Sequence, residues 1–157
     1  LPGCKRIISR RKITIEPLAH GFSGRFQAMG SPCELLTEAT LASDAEELTD
    51  LVATEAWRIE DKFSRYLGGN IIAEINSADG RPIKVDEETA QLLNFAETLY
   101  QLSDGAFDIT SGVLRRAWTF DGGDNIPAAD IVAELLYLVG WRRCEWKDSV
   151  LQLPQNM

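Results

Sequence analysis

Cysteine and histidine are scarce in this chain, and their scarcity excludes whole classes of chemistry. The three cysteines, Cys4, Cys33 and Cys144, form no Cys-x-x-Cys pair. Neither a disulfide framework nor a zinc motif is therefore spelled out. Cys33 and Cys144 stand in apolar, strand-like surroundings and read as small core residues. With a single histidine, His20, any catalytic arrangement needing two is excluded. His20 lies in a loop flanked by Pro17 and Gly21 and reads as a bystander. No run of about 18 apolar residues occurs, so no helix long and apolar enough to cross a membrane is encoded. Positive charge is lacking too. Lys and Arg number 16 against 24 Asp and Glu, a formal net charge of -8, which argues against a nucleic-acid surface. Repeats and low-complexity tracts are absent.

What is present suits one globular domain. The chain has 157 residues, 45% of them apolar and 25% charged, enough to bury a sizeable core. Residues 1–24 read as an N-terminal arm, either lipoprotein-like or disordered. The first residue is not methionine, so the native start is expected to lie further upstream. Leu1-Pro2-Gly3-Cys4 resembles a bacterial lipoprotein cleavage box, in which Cys4 would carry lipid and attach the chain to a membrane. The apolar segment that should precede such a box is missing, and proline is unusual there. The basic run Lys5, Arg6, Arg10, Arg11 and Lys12 fits either a membrane-flanking stretch or a solvated arm.

Ile13 to Gly24 reads as a short strand leading into a loop. Arg25 to Glu38 follows as two strand runs, carrying Phe26, Ala28, Cys33, Leu35 and Leu36 and broken at Met29-Gly30-Ser31-Pro32. Ser43-Asp44-Ala45-Glu46 has the form of a capping box. The helix it opens runs to about Phe63, with Leu48, Leu51, Val52, Ile59 and Phe63 as its apolar stripe. Trp57 and the acids Glu47, Asp50, Glu55 and Glu60 fall on other faces, the acids as solvated surface. Ser64-Arg65-Tyr66 ends the helix and Leu67 to Asn70 turns the chain. A helical turn over Ile71 to Asn76 and a strand over Arg81 to Val85 follow. Asp86 caps a second long helix whose apolar face is Leu92, Leu93, Ala96, Leu99 and Tyr100. Beyond the polar loop 121–125, Pro127 suits the first turn of a helix burying Ile131, Leu135, Leu138 and Val132. Gly140 closes that helix. Trp141 to Trp146 and Ser149 to Leu153 read as a hairpin joined at Lys147-Asp148. Long helices among short strands, without a regular βαβ rhythm, point to an α+β fold with helices packed on a mostly antiparallel sheet.

The second long helix delivers Ser103 to Phe120, SDGAFDITSGVLRRAWTF. Gly105 stands where a left-handed cap residue belongs. Phe107, flanked by Ala106 and Asp108 and followed by Thr110, Ser111 and Gly112, offers a ring face beside short polar groups. Such a set suits a flat heteroaromatic ligand. A well-capped surface turn has the same composition, and on chemistry alone both readings stay open.

The Gly105–Thr110 run GAFDIT, a glycine two residues on and the pair in Trp118-Thr119-Phe120 resemble the central signature of the flavin transferase (ApbE) family. Ala28-Met29-Gly30, Phe63-Ser64-Arg65-Tyr66 and Val139-Gly140-Trp141-Arg142 match further pieces in family order. The resemblance covers Phe26 to Met157, about the first half of a full-length member, so residues 25–157 are expected to form the N-terminal part of such a domain. It implies an enzyme that takes FAD, cleaves its pyrophosphate with magnesium and attaches FMN to a threonine of a target protein. It also implies the periplasmic side of the inner membrane. Binding anionic FAD on an acidic chain calls for backbone N–H groups, local arginines or a divalent cation.

By the same resemblance, Met29 touches the flavin and Tyr66 stacks on the isoalloxazine. The backbone of Ala106, Phe107 and Asp108 serves the ring edge, with the Asp108 carboxylate as an acceptor. The family's glycine-rich segment and metal-binding residues have no counterpart within the chain, so no metal ligand and no catalytic residue is assigned. Ile109 stands where the family commonly has proline, and Ser111 and Val113 also depart from the usual choices. Asp108 to Gly112 further resembles the acceptor motif that such enzymes modify. The acceptor threonine would be two residues beyond Gly112, where Leu114 has no hydroxyl, so this chain is not expected to be the substrate. The alternatives are a shortened flavin- or partner-binding module without catalysis, and an FAD pyrophosphatase using water as nucleophile.

Overall fold

The computed structural model describes residues 11–118, 126–155 and 157. Cys4, Lys5, Arg6, Arg10, Thr119, Phe120 and the loop 121–125 lie outside the described residues. The chain divides into two compact units, residues 1–72 and 73–157, and each has its own architecture.

The first unit is a three-stranded antiparallel sheet with one long helix. Strands β1 (Thr14–Pro17), β2 (Phe22–Ala28) and β3 (Ser31–Thr37) pair in sequence order. Thr14 opposes Arg25, and Phe26 opposes Cys33. The stretch 1–24, expected to be an arm, therefore contributes β1 and the start of β2. Gly24 is a mid-strand residue and not part of a loop. The expected break between the second and third strands is a two-residue turn. Both Met29 and Gly30 are left-handed there, with φ 53° and 72°, as tight hairpins of right-handed twist require.

Helix α1 (Ala42–Phe63) lies on the sheet through Ala45, Thr49, Ala53 and Trp57. These residues recur every fourth position, so the buried stripe drifts by about 40° per step and winds across the helix. Three of the four are small, which lets the helix approach closely at Gly24. Phe26, Ala28, Ala53 and Trp57 form the core, and Phe26 meets Trp57 edge-on at 6.1 Å. The expected leucine stripe is not the buried face. Leu51 is 68% exposed, and Leu48 and Val52 are exposed as well. The capping box is absent too. Leu41 occupies the N-cap without a side-chain bond, and the Ser43 hydroxyl donates to Asp44 instead.

On the sheet's other face Arg25 bridges Glu16 at 2.8 Å and Glu34 at 3.0 Å. A shallow groove of about 520 Å³ crosses this face, lined by residues including Lys12, Arg25, Gln27 and Glu34.

Short helix α2 (Ile71–Asn76) spans the division between the units. In the second unit β4 (Ile83–Lys84) pairs antiparallel with β6 (Val150–Gln152), which pairs with β5 (Glu145–Lys147), in the order β4-β6-β5. The β5–β6 turn is Asp148-Ser149, both left-handed, one residue later than expected. Trp141–Arg143 forms a 3₁₀ turn and does not extend the strand.

Helix α3 (Glu87–Leu102) is capped as expected. The Asp86 carboxylate accepts the Thr89 N–H at 3.0 Å. Its buried residues are Thr89, Ala90, Leu93 and Ala96, while Leu92 is exposed. Helix α4 (Ala129–Leu136) starts after an Ala128 N-cap, which leaves Pro127 just outside its first turn. Ile131 is exposed, and Val132, Leu135 and Leu138 are half-buried. The helix ends at Leu136, before Gly140. Helices beside short antiparallel strands make the fold α+β, as the sequence pattern indicated.

Candidate functional site

In the first unit, Met29 and Tyr66 are both tied to the last turns of α1. The hairpin turn leaves Met29 59% exposed, and its backbone N–H donates to Glu60 Oε1 at 2.9 Å. Glu60, expected to be free surface, thus anchors the turn. Just before the turn, the buried Trp57 indole donates from Nε1 to the Gln27 carbonyl at 2.7 Å. Arg11 lies over the Trp57 ring, 5.6 Å from its centroid, and pairs with Asp61. That pairing holds the Asp61 carboxyl below its ordinary pKa, the hydrogen bond from Arg11 being the main cause.

Past the end of α1 the chain is held by its own side chains. Asn70 Nδ2 donates to the carbonyls of Asp61 and Ser64 at 3.0 and 2.7 Å, satisfying acceptors that a helix end leaves over. Ser64 Oγ accepts the Tyr66 N–H at 3.2 Å. The Tyr66 ring projects from this loop with 76% of its surface exposed. The Arg65 guanidinium sits 4.9 Å from the ring centroid and donates to the phenolic oxygen at 2.9 Å. A ring face and a cation are thereby presented together, the face suited to a flat ring and the guanidinium to an anionic group.

In the second unit, α3 ends in a Schellman motif. Asp104 and Gly105 are both left-handed. The Gly105 N–H reaches the Tyr100 carbonyl at 2.8 Å, and the Asp104 N–H reaches the Gln101 carbonyl at 3.2 Å. A Cβ on Gly105 would come within 3.3 Å of the Tyr100 hydroxyl. The chain then reverses over Ser103, whose carbonyl accepts the Ala106 N–H and whose hydroxyl accepts the Phe107 N–H at 2.8 Å. Ala106 is exposed and Phe107 is 43% exposed.

Asp108 caps the 3₁₀ helix Ile109–Arg116. Its Oδ1 accepts from the Thr110 N–H at 2.8 Å and the Thr110 hydroxyl at 2.6 Å. Its Oδ2 accepts the Trp141 N–H at 3.0 Å. Thr110 Oγ1 in turn accepts the Gly140 N–H at 2.8 Å. The run from Gly105 to Thr110 and the run from Val139 to Arg142, separate in the sequence, are thus one hydrogen-bonded element. Beneath it, burial first and the Asp108 charge second push the Cys144 thiol up to about 11, so it is a protonated, unreactive thiol at neutral pH.

The structure therefore ties Met29 to Glu60 in the last turn of α1 and Tyr66 to Ser64 just past it, and holds Ala106, Phe107 and Asp108 together in the second unit. The backbone N–H groups of Ala106 and Phe107 and most of the acceptor capacity of Asp108 serve the protein itself. Sequence reasoning missed Arg65 and Glu60, and it placed Thr110 beside the ring face without its link to Gly140. The Asp-x-Thr spacing was the one available signal, being that of a local side-chain cap. Among the described residues no group of three or more His, Cys, Asp or Glu is placed to hold a metal ion.

The ApbE family model matches residues 29–157. A stretch of 73 residues, 46% of this chain, is 30% identical to the FAD:protein FMN transferase of Chlamydia pneumoniae and covers 23% of that protein. The solved ApbE protein of Thermotoga maritima aligns over 91% of this chain and 45% of its own, with a TM-score of 0.71 and 23% identity. The apo flavinyl transferase ApbE of Pseudomonas stutzeri aligns over 93% of this chain and 45% of its own, with a TM-score of 0.62 and 18% identity. The flavin transferase ApbE of Vibrio cholerae gives 0.59 and 17%, over 94% of this chain and 46% of its own. The chain spans less than half the length of each of these relatives.

Proposed function

The chain belongs to the ApbE family, and from that premise we propose that it is the flavin-holding part of an FAD:protein FMN transferase. The observation that carries this reading is the exposed Tyr66 ring backed by Arg65 at the end of α1. In the reaction, a threonine hydroxyl of a target protein attacks the FMN phosphorus of FAD. A new P–O bond forms as the pyrophosphate P–O bond breaks, AMP leaves with the bonding pair, and the hydroxyl proton passes to solvent.

This chain's share is to hold the flavin. Tyr66 stacks on the isoalloxazine, a contact of about 0.5–1.5 kcal/mol beyond area burial, and Met29 packs a polarisable thioether on it. Arg65 offsets the ligand's negative charge within an acidic chain. In the second unit, the exposed Ala106 and Phe107 side chains present an apolar edge to the ring. Magnesium, when bound, would neutralise charge on the transferring oxygens. The described residues offer no cluster of three or more His, Cys, Asp or Glu for it.

The test is to incubate the complete protein with FAD, a magnesium salt and an acceptor polypeptide containing threonine, then weigh the acceptor. A mass gain of FMN less water, with one AMP released per transfer, is expected. Free FMN and AMP without attachment would make the protein a pyrophosphatase. Bound but unconsumed FAD would make it a non-catalytic module. Failure to bind FAD contradicts every flavin-dependent version and leaves only a partner-binding module.

A further inference from the structure

The geometry points to Thr110 as a positioning residue for the flavin pocket, acting through Asp108 and through the Gly140-Trp141 turn. This inference rests on the flavin-holding role proposed above for the Ala106–Asp108 segment. The Thr110 hydroxyl is used in both directions. It donates to Asp108 Oδ1 at 2.6 Å and accepts the Gly140 N–H at 2.8 Å. Only a hydroxyl of this size can do both from that position.

The partner on the far side is a glycine in a backbone conformation that other residues rarely adopt. Gly140 has φ 154°, and a Cβ there would come within 2.8 Å of Arg143 Nε. Next to it, the Trp141 side chain is buried, and its N–H is committed to Asp108 Oδ2 at 3.0 Å. Two backbone N–H groups of one turn are therefore received by two neighbouring side chains, and Thr110 joins those side chains to each other. The Asp108 carboxylate is fixed from both ends as a result. Phe107 is fixed on one side by Ser103 and on the other by this clasp. Thr110 need not touch the ligand. It sets where the backbone of Ala106, Phe107 and Asp108 stands.

Thr110→Val removes both bonds at nearly constant volume, and Thr110→Ser keeps them. Two readouts separate the proposal from the transferase reading. The first is hydrogen exchange at the Gly140 and Trp141 amides of the flavin-free protein. The second is the FAD dissociation constant from quenching of flavin fluorescence. Thr110→Val is expected to speed exchange at both amides roughly tenfold and to weaken FAD severalfold, with Thr110→Ser close to wild type in both. If the valine variant does not fold, Thr110→Ala carries the same comparison without β-branched bulk. Unchanged exchange at Gly140 would overturn the clasp whether or not FAD binds. Faster exchange with unaltered FAD affinity would reduce Thr110 to a scaffold residue and overturn its positioning role. A wild-type protein that ignores FAD sinks the transferase reading and leaves the exchange result to decide the clasp.

Discussion

Replacing Gly24 by alanine tests how closely α1 is seated on its sheet. A Cβ at position 24 would stand 1.9 Å from Thr49 Oγ1, 2.6 Å from its Cγ2 and 2.8 Å from its Cβ. Thr49 is fully buried, and its hydroxyl donates to the Ala45 carbonyl at 2.6 Å. Rotating Thr49 away breaks that bond, and its Cβ still blocks the way. Relief therefore requires α1 to move off β2 by about 1 Å. Overpacking of this kind costs about 1–3 kcal/mol, and the lost hydrogen bond adds about 1 kcal/mol. A penalty of about 3 kcal/mol lowers the melting temperature of a chain this size by about 6–12 °C. Thermal unfolding followed by circular dichroism measures it. Adding Thr49→Ala should recover part of the loss, because Oγ1 and Cγ2 are then gone and the two sites are coupled. A Gly24→Ala protein melting within 2 °C of wild type would refute the close helix–sheet seating.

Other outcomes follow from single contacts. Asp86→Ala removes the α3 cap and should cost about 1 kcal/mol, read as a lower denaturation midpoint. Trp57→Phe deletes the indole N–H that holds the Gln27 carbonyl and should cost about 1–3 kcal/mol, with faster hydrogen exchange at the Met29 amide. Burial raises the Cys144 thiol from 9.0 to about 11. Its protonated form is favoured by folding, so its contribution is intact below pH 9 and is lost as pH rises towards 11. Cys144→Ser should flatten that part of the pH–stability curve, and iodoacetamide should modify Cys144 only slowly at neutral pH.

Local signals were legible in the sequence wherever one short-range rule decided the outcome. Asp86 capped its helix because its carboxylate needs only the next turn's N–H groups. Met29-Gly30 broke the strands because a tight turn demands left-handed residues. The α1 face was misread because Leu48, Leu51 and Val52 match helical periodicity. Which stripe is buried depended instead on Gly24 in a different element, whose lack of a side chain admits Ala45, Thr49 and Ala53. Ser43 lost the cap position once the helix began at Ala42, with Leu41 at its N-cap. At the site, the identities of Met29, Tyr66 and the Ala106–Asp108 run came from resemblance. The use of Asp108 was not visible, because its partners in the Gly140-Trp141 turn are more than thirty residues away. Arg65 belongs to the Phe63-Ser64-Arg65-Tyr66 motif, yet only the folded loop shows it lying over its neighbour's ring.

Titrating FAD into the complete protein while following flavin fluorescence tests the central claim most directly. Saturable quenching is expected at one flavin per protein, weakened severalfold by Tyr66→Ala with an unchanged melting temperature. Quenching that never saturates would contradict the account, and an unchanged affinity in Tyr66→Ala would remove the stacking role on which it rests.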